Sequence, residues 1–240
     1  MNLKSSYFVL IPAAGVGARM GSSQPKQYLQ IDGVSVLQYA VNAFLACAKV
    51  SKIFVVVSAN DAYIRQHLIA NERVEVLYCG GATRAETVSN GLQTLLENRS
   101  VGKNDWMMVH DAARPGLTPA LVEKLIKNIP DESVGGLLAQ PVIDTVKQVL
   151  NGRVHTIPRE TIWLAQTPQM FRSQNLLDAL KRAPAVTDEA SAIEFAGGSP
   201  ILVESESRNR KLTRPEDLDF FKNLLSRDGG GSVTTESENA

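Results

Sequence analysis

The sequence predicts an α/β protein with a Rossmann-like, mostly parallel sheet, helices on both faces and a protruding β-hairpin arm. Short apolar runs alternate with segments of helical periodicity, which is typical of parallel sheets covered on both faces. Glycine-rich loops follow two of the runs, and a segment centred on Asn-Gly breaks the alternation. Because right-handed crossovers bring the carboxyl ends of parallel strands to one edge, we expect ligands to bind there.

The predicted elements follow from the period of the apolar residues. Apolar runs predict strands at residues 8–11, 53–57, 74–78, 106–109 and 136–139. Helical periodicity covers residues 36–45, 62–69, 84–96 and 119–129. Capping-box patterns, with an acid three residues after a threonine, predict helix starts at Thr83 and Thr213. A third start is expected at Thr187, with Asp188 and Glu189 in the first turn.

Residues 144–159 form the predicted hairpin. They centre on Asn151-Gly152, the dipeptide that most strongly indicates a two-residue hairpin turn. The resulting register brings Thr145 and Arg159 together at the base of the ribbon. Because an isolated two-stranded ribbon is only marginally stable, we expect this arm, residues 142–160, to pack on something else, and a symmetry mate is one candidate.

Composition limits the class of protein. The 240 residues are 44% hydrophobic, and Lys+Arg and Asp+Glu are both 25, a balance that argues against general nucleic-acid binding. Cys47 and Cys79 suit a reducing compartment, and no apolar run reaches the roughly 18 residues of a membrane span. We therefore expect a cytoplasmic protein with one domain, residues 1–227, and a polar, disordered tail, residues 228–240.

A glycine loop follows the first strand. Gly15 and Gly17 allow the backbone to approach a ligand closely, and Arg19 and Lys26 add two cations nearby. The spacing matches neither a Walker A motif nor the dinucleotide fingerprint. The loop predicts a phosphate-rich ligand, although a tight strand-to-helix turn with solvated charges remains an alternative.

Two further loops are expected at the same edge. Asp111 follows the strand at 106–109 and could hold Mg²⁺ or cap the next turn. Gly80-Gly81 could receive a base or ribose, or be a plain strand-to-helix turn. The histidines lack companions at metal-ligand spacing, so we interpret as structural His67, His110 and His155.

Seven short motifs in order make the chain resemble the 2-C-methyl-D-erythritol 4-phosphate cytidylyltransferases, CTP-using enzymes of the non-mevalonate isoprenoid pathway. The motifs lie at residues 13–20, 25–28, 80–84, 110–115, 167–169, 187–191 and 211–218. The resemblance runs from Phe8 to about Leu225. It implies a Mg²⁺-dependent (or other divalent cation-dependent) homodimer whose hairpin arm reaches the neighbouring subunit's active site.

The resemblance also implies the reaction. The phosphate of methylerythritol phosphate attacks the α-phosphorus of CTP and releases pyrophosphate. A phosphomonoester, whose second pKa is about 6, is already ionised near neutral pH and needs no general base. The task is to position two polyanions and stabilise their charge, which calls for cations.

The resemblance assigns residues to three groups. Catalytic cations are Arg19, Lys26 and Lys211. Contacts to CTP are Ala13, Ala14, Gly15, Gly17, Gly81, Ala82, Arg84, Thr87, Asp111 and Ala112. Contacts to methylerythritol phosphate are Arg114, Thr167 and Thr187, with Thr145 and Arg159 from the partner's arm. Asp111 is also the expected metal ligand.

The chain departs from the family at few positions. Thr87 replaces the usual Ser, and Arg208 and Arg210 stand where less basic residues are commoner. We expect the two arginines only to make the phosphate side of the site more positive.

Two rival functions stay open. A ribitol 5-phosphate cytidylyltransferase would run the same chemistry, and Ala112-Ala113 favours methylerythritol phosphate over ribitol phosphate. A non-catalytic nucleotide-binding regulator is disfavoured because binding alone would not need Arg19, Lys26, Asp111 and Lys211 together.

Overall fold

The structure is a computed structural model that describes residues 5–15, 24–183 and 186–229, with side chains described up to Ser226. Within these ranges the chain forms eleven strands and seven helices. The strands are β1 (Tyr7–Pro12), β2 (Gln30–Ile31), β3 (Val34–Ser35), β4 (Val50–Val56), β5 (Val74–Leu77), β6 (Trp106–Val109), β7 (Gly135–Pro141), β8 (Val146–Leu150), β9 (Arg153–Ile157), β10 (Trp163–Arg172) and β11 (Ile201–Glu204). The helices are α1 (Val36–Leu45), α2 (Ile64–His67), α3 (Arg84–Glu97), α4 (Pro119–Asn128), α5 (Ser173–Arg182), α6 (Glu189–Phe195) and α7 (Asp217–Gly229).

The central sheet has the strand order β11-β7-β10-β6-β1-β4-β5. β10 runs antiparallel to both of its neighbours, whereas the other described pairings of this sheet are parallel. Successive residues of a strand point to opposite faces, and β1 shows this clearly. Val9 packs with α1 and α4, while Leu10 packs with α3 and α5. The mostly parallel sheet with helices on both faces is therefore confirmed.

The five strands and four helices predicted from periodicity all form, most of them with shifted ends. The helix expected at residues 62–69 shortens to α2, because the Asp61 carboxylate accepts hydrogen bonds from the backbone N–H groups of Tyr63 and Ile64 and starts the helix late.

The sequence did not predict β10. Its centre carries Gln166, Thr167 and Gln169, so it lacks a continuous apolar run.

The hairpin register is confirmed. β8 and β9 pair from Val146↔Ile157 to Leu150↔Arg153, and Asn151 and Gly152 both take positive φ, 51° and 75°. This conformation is what a type I′ turn requires. At its base, the Arg159 guanidinium donates a hydrogen bond to the carbonyl of Ile143.

The helix starts were predicted with mixed success. The Thr83 capping box is confirmed, because Thr83 and Glu86 exchange backbone and side-chain hydrogen bonds. The box expected at Thr213 is wrong. There the Asp217 carboxylate accepts from the backbone N–H groups of Thr213 and Arg214, and α7 begins only at Asp217.

The start of α6 and the chain end also differ from expectation. Asp188, not Thr187, is the N-cap of α6. Helix α7 extends to Gly229, two residues into the tail that the sequence predicts, and the rest of that tail lies outside the described residues. In the described ranges, each helix is too short or too polar to cross a membrane.

Candidate active site

Two adjoining clefts lie at the carboxyl edge of the sheet. The first cleft, of about 170 Å³, is bounded by the loop after β1, the turn after β5 and the loop after β6. The second cleft, of about 260 Å³, lies beside β10 and the start of α6. Arg84, Asp111 and Lys211 line both clefts and form the boundary between them.

Among the described residues, three cationic side chains surround the Asp111 carboxylate. Arg84 Nε lies 2.8 Å from Oδ1, Lys211 Nζ lies 2.9 Å from Oδ2, and Arg114 Nε lies 3.5 Å from Oδ2. Burial raises the pKa of Asp111, but Arg84, Lys211 and Arg114 outweigh burial and hold that pKa well below its ordinary value. Asp111 is therefore ionised at any working pH, and its carboxylate faces cations rather than capping a turn.

The guanidinium of Arg84 bridges two carboxylates. Its Nη1 and Nη2 donate to Glu189 at 2.6 and 3.0 Å, while its Nε donates to Asp111. The Glu189 side chain is 1% exposed and the Arg84 side chain 26%. Burial lowers the pKa of Arg84, but Glu189 and then Asp111 raise it above its ordinary value. Sequence reasoning missed Glu189, because an acid in a first helical turn signals only a favourable helix dipole.

His110 and Thr167 hold the backbone of Asp111. Burial lowers the pKa of His110 to about 3, so the imidazole is neutral. His110 Nε2 faces the carbonyl of Arg114 at 3.4 Å, which assigns the ring proton to Nε2. Thr167 Oγ1 therefore donates to His110 Nδ1 at 3.0 Å and accepts from the Asp111 N–H at 3.1 Å. This placement agrees with the structural interpretation of His110.

The PKQY segment, residues 25–28, seats Lys26 and braces the glycine loop. A 3₁₀ turn over Lys26–Tyr28 brings Lys26 Nζ 3.1 Å from the carbonyl of Leu212, next to Lys211. The buried Gln27 amide donates to the carbonyls of Ala13 at 2.8 Å and Gly15 at 3.0 Å. Gln27 belongs to the motif at residues 25–28, but the sequence assigned it no role, since a glutamine carries no chemical signal of its own.

The Gly80-Gly81 turn packs directly against the loop after β1. A Cβ at Gly80 would lie 2.4 Å from the Cβ of Ala14, and one at Gly81 would lie 2.4 Å from the Cβ of Glu86. The Thr87 hydroxyl accepts from the Gly81 N–H at 3.1 Å and donates to the carbonyl of Thr83 at 2.9 Å. The hydroxyl of Thr87 is therefore used within the turn.

A buried network seats the segment that carries Lys211. The Asn209 amide donates to Gln166 Oε1 at 2.9 Å and to the carbonyl of Thr167 at 2.8 Å. Arg114 Nη1 in turn donates to the carbonyl of Asn209 at 2.8 Å. These contacts fix the chain two residues before Lys211.

The two flanking arginines lie apart from the clefts. Arg208 Nε donates to the carbonyl of Gly116, and Arg210 pairs with Asp217 at 2.7 Å. Neither lines the two clefts. Asp217 offsets the charge of Arg210, and the expectation that the two arginines make the phosphate side more positive stays a prediction.

The structure brings most of the predicted site residues together. Those that line the first cleft are Ala13, Ala14, Gly15, Lys26, Gly81, Ala82, Arg84, Thr87, Asp111, Ala112 and Lys211. Those that line the second cleft include Arg114, Thr167 and Thr187. Thr145 and Arg159 lie on the hairpin and line neither cleft. Gly17 and Arg19 lie outside the described residues.

The residues at the cleft boundary fit a divalent cation that takes most of its ligands from substrate and water. Within the described ranges, no three His, Cys, Asp or Glu side chains stand together as a ready metal site. Mg²⁺ is commonly held by one or two carboxylates together with substrate phosphates and water. The Asp111 carboxylate at the cleft boundary fits that kind of site.

The sheet topology and the charged double cleft agree with the nucleotidyltransferase fold of the solved structures that the chain matches. The family model for IspD, 2-C-methyl-D-erythritol 4-phosphate cytidylyltransferase, matches residues 7–227. The chain belongs to this family.

Named relatives agree. Proteins named 2-C-methyl-D-erythritol 4-phosphate cytidylyltransferase from Paraburkholderia phymatum and Aromatoleum aromaticum are each 44% identical, over 95% of this chain and 100% and 99% of theirs. A crystal structure of 4-diphosphocytidyl-2C-methyl-D-erythritol synthase aligns with a TM-score of 0.83 at 39% identity, covering 93% of this chain and all of the other. The Francisella tularensis cytidylyltransferase structure aligns with a TM-score of 0.75 at 36% identity, covering 92% and 100%.

Proposed function

We propose that the protein transfers the cytidylyl group of CTP to 2-C-methyl-D-erythritol 4-phosphate, giving the cytidine diphosphate product and pyrophosphate for isoprenoid biosynthesis. The observation that carries the proposal is the pair of clefts that meet at Arg84, Asp111 and Lys211. A group transfer between two bound phosphates needs two adjoining pockets with cations at their boundary. The names of the relatives supply the two substrates.

We assign CTP to the first cleft and the acceptor to the second. The first cleft offers the close backbone of residues 13–15 and of Gly81 and Ala82, which suits a nucleoside held by main-chain groups. The second cleft offers Arg114, Thr167 and Thr187. The acceptor phosphate then faces the α-phosphate of CTP across the boundary.

No protein base is required at that boundary. The acceptor phosphate, with a second pKa of about 6, attacks in its ionised form. His110 is buried, neutral and engaged at both ring nitrogens, so it is not placed to accept a proton from the acceptor. The chain therefore contributes position and charge.

Among the described residues, Lys26 and Lys211 supply the positive charge that would face the phosphates. Lys211 lines both clefts, and its ammonium can follow charge from the attacking phosphate to the leaving pyrophosphate. Lys26 lines the first cleft beside it, where the triphosphate would lie. The family resemblance adds Arg19 to this pair.

A divalent cation completes the site in this proposal, with Asp111 as its protein ligand. When bound, such a cation neutralises phosphate charge and orients the triphosphate. The cations that surround Asp111 keep its carboxylate ionised, the form that binds a cation.

The hairpin arm is proposed to join two subunits. Its apolar side chains are unusually exposed, with Val149 at 65%, Val154 at 66% and Leu150 at 52%. A second copy that covers these side chains would explain how a two-stranded ribbon is stabilised, and Thr145 and Arg159 would then reach the partner's second cleft. Mixing Asp111→Ala with Arg159→Ala subunits should restore one working site in each heterodimer, and no recovery would argue that the arm acts within its own chain.

A substrate panel tests the proposed function. Pyrophosphate release is measured with CTP, UTP, ATP or GTP, each with methylerythritol phosphate or ribitol 5-phosphate as the acceptor. We expect the highest kcat/KM with CTP and methylerythritol phosphate in the presence of Mg²⁺. Preference for ribitol 5-phosphate would overturn the acceptor, and no turnover with any pair would point to a nucleotide-binding regulator instead.

A further inference from the structure

We propose that Glu189 is a positioning residue for the transfer reaction, acting through Arg84 to fix the Asp111 carboxylate at the boundary between the two clefts. This inference rests on the proposed cytidylyl transfer. Neither the family match nor the sequence motifs assign a role to Glu189, whose side chain is 1% exposed and lines neither cleft.

The geometry forms a chain of direct contacts. Glu189 Oε1 and Oε2 accept from Nη1 and Nη2 of Arg84 at 2.6 and 3.0 Å, a two-pronged pairing that fixes the plane of the guanidinium. The remaining edge of that plane presents Nε to Asp111 Oδ1 at 2.8 Å. Asp111 Oδ2 is thereby turned toward Lys211 Nζ at 2.9 Å.

Glu189 is itself held firmly. It is the first residue of α6, after the N-cap Asp188. Gln169 of β10 donates to Asp188 Oδ2 at 2.8 Å and accepts from the Ala190 N–H at 2.7 Å. The start of α6 is therefore tied to the central sheet on both sides of Glu189.

The same strand fixes the other end of Asp111. Thr167, two residues before Gln169 on β10, accepts from the Asp111 N–H at 3.1 Å. Both parts of Asp111 are thus held in place by β10. Thr167 holds its backbone directly. Its carboxylate is held indirectly, through Gln169, the start of α6, Glu189 and Arg84. This arrangement explains how a carboxylate among three cations keeps a single orientation.

The role of Arg84 changes as a consequence. Three of its N–H groups are given to carboxylates, and the charge of Glu189 offsets its own. Arg84 is therefore a rigid wall between the clefts rather than a clamp for the triphosphate, a role left to Lys26, Lys211 and, by the family resemblance, Arg19.

The first test is a double-mutant cycle on Glu189→Gln and Arg84→Gln. Each single variant should lower kcat by about 10- to 100-fold, as expected when catalytic groups are misplaced by about 1 Å. The KM for CTP should change by less than about 3-fold, because the first cleft keeps its glycine loop. The double variant should be no worse than the worse single variant, since both changes break one linkage. Additive losses, or a kcat of Glu189→Gln equal to wild type, would overturn the proposal.

A second variant guards against loss of folding. Removing one partner of this ion pair leaves a charge without compensation, whereas Arg84→Met combined with Glu189→Leu removes both charges and keeps the volume. We expect this apolar pair to unfold near the wild-type temperature and still show the low kcat. Wild-type kcat in the apolar pair would mean that the ion pair serves stability alone. Glu194→Gln, on the exposed side of α6, is the matched control and should leave kcat unchanged.

A third readout does not depend on turnover. In ¹⁵N-arginine NMR spectra, the Nε–H signal of Arg84, assigned by its absence in Arg84→Lys, should exchange slowly in the wild type. It should broaden or shift in Glu189→Gln, and an unchanged signal would contradict the linkage. If the wild type turns over no substrate pair, the proposed function fails, and this spectrum still decides whether Glu189 fixes Arg84.

Discussion

Replacing Lys211 with methionine is expected to lower kcat/KM about 100- to 1,000-fold for both substrates, the loss typical of removing one group that stabilises transition-state charge. The Lys211 ammonium lies 2.9 Å from Asp111 and lines both clefts. At an effective dielectric constant of about 20, a unit charge about 4 Å from a phosphate oxygen contributes roughly 4 kcal/mol. Solvent screening reduces this value, because the Lys211 side chain is 36% exposed.

Stability should barely change in the same variant. An ion pair with this exposure contributes up to about 1 kcal/mol, and Asp111 keeps Arg84 as its partner. For a chain of this size, such a loss lowers Tm by about 2–4 °C. A large loss of activity with a small change in Tm would therefore separate a chemical role from a structural one.

The assay is steady-state pyrophosphate release with CTP and methylerythritol phosphate, run beside a thermal unfolding scan. Lys222→Met is the matched control, because Lys222 forms only an exposed pair with Asp219 at 3.6 Å. Its kcat/KM should equal that of the wild type. Removing one group that stabilises transition-state charge usually lowers the rate far more than 3-fold. If kcat/KM of Lys211→Met stays within about 3-fold of the wild-type value, the assigned role of Lys211 is refuted.

Three further predictions concern the buried His110, the closely packed Gly80 and the hairpin arm. The pKa of His110 falls from its unfolded value to about 3 on folding, so the free energy of unfolding should decrease as pH falls from about 6.5 toward 3, by up to about 1.4 kcal/mol per pH unit. Urea unfolding of His110→Gln should show a shallower dependence of that free energy on pH. An equal dependence would contradict the assignment of a buried, neutral His110. Gly80→Ala should raise the KM for CTP and lower the free energy of unfolding by about 1–3 kcal/mol, because the new Cβ would lie 2.4 Å from that of Ala14. A wild-type KM and a wild-type urea midpoint would show that the loop moves to accept the Cβ without cost. In the proposed dimer, Val149→Glu should give monomers by light scattering while the subunit stays folded, and an unchanged dimer mass would place the subunit contact elsewhere.

Local signals in the sequence predicted the parts of the fold that are determined locally. The Asn151-Gly152 turn fixed the hairpin register, since positive φ at both residues selects one turn type. The Thr83 capping box was also readable from four consecutive residues. At Thr213 the same reasoning failed, because Asp217 accepts from the Thr213 N–H, which Glu216 was expected to cap, and from the Arg214 N–H as well.

The rest depends on contacts between distant segments. Glu189 and Arg84 stand 105 residues apart, and each alone reads as an ordinary charged residue at a helix start. β10 carries polar side chains because its centre forms one wall of the second cleft, and those side chains hide it as a strand. The sequence could thus indicate a phosphate site at one sheet edge, whereas the linkage through Glu189 needed the folded structure.

The most direct test of the central claim follows both products by ³¹P NMR in one reaction of CTP, methylerythritol phosphate and Mg²⁺. Direct attack across two adjoining clefts predicts pyrophosphate and the cytidine diphosphate product in equal amounts, and neither product when the acceptor is left out. Pyrophosphate from CTP without an acceptor, or its release without the diphosphate product, would contradict the account.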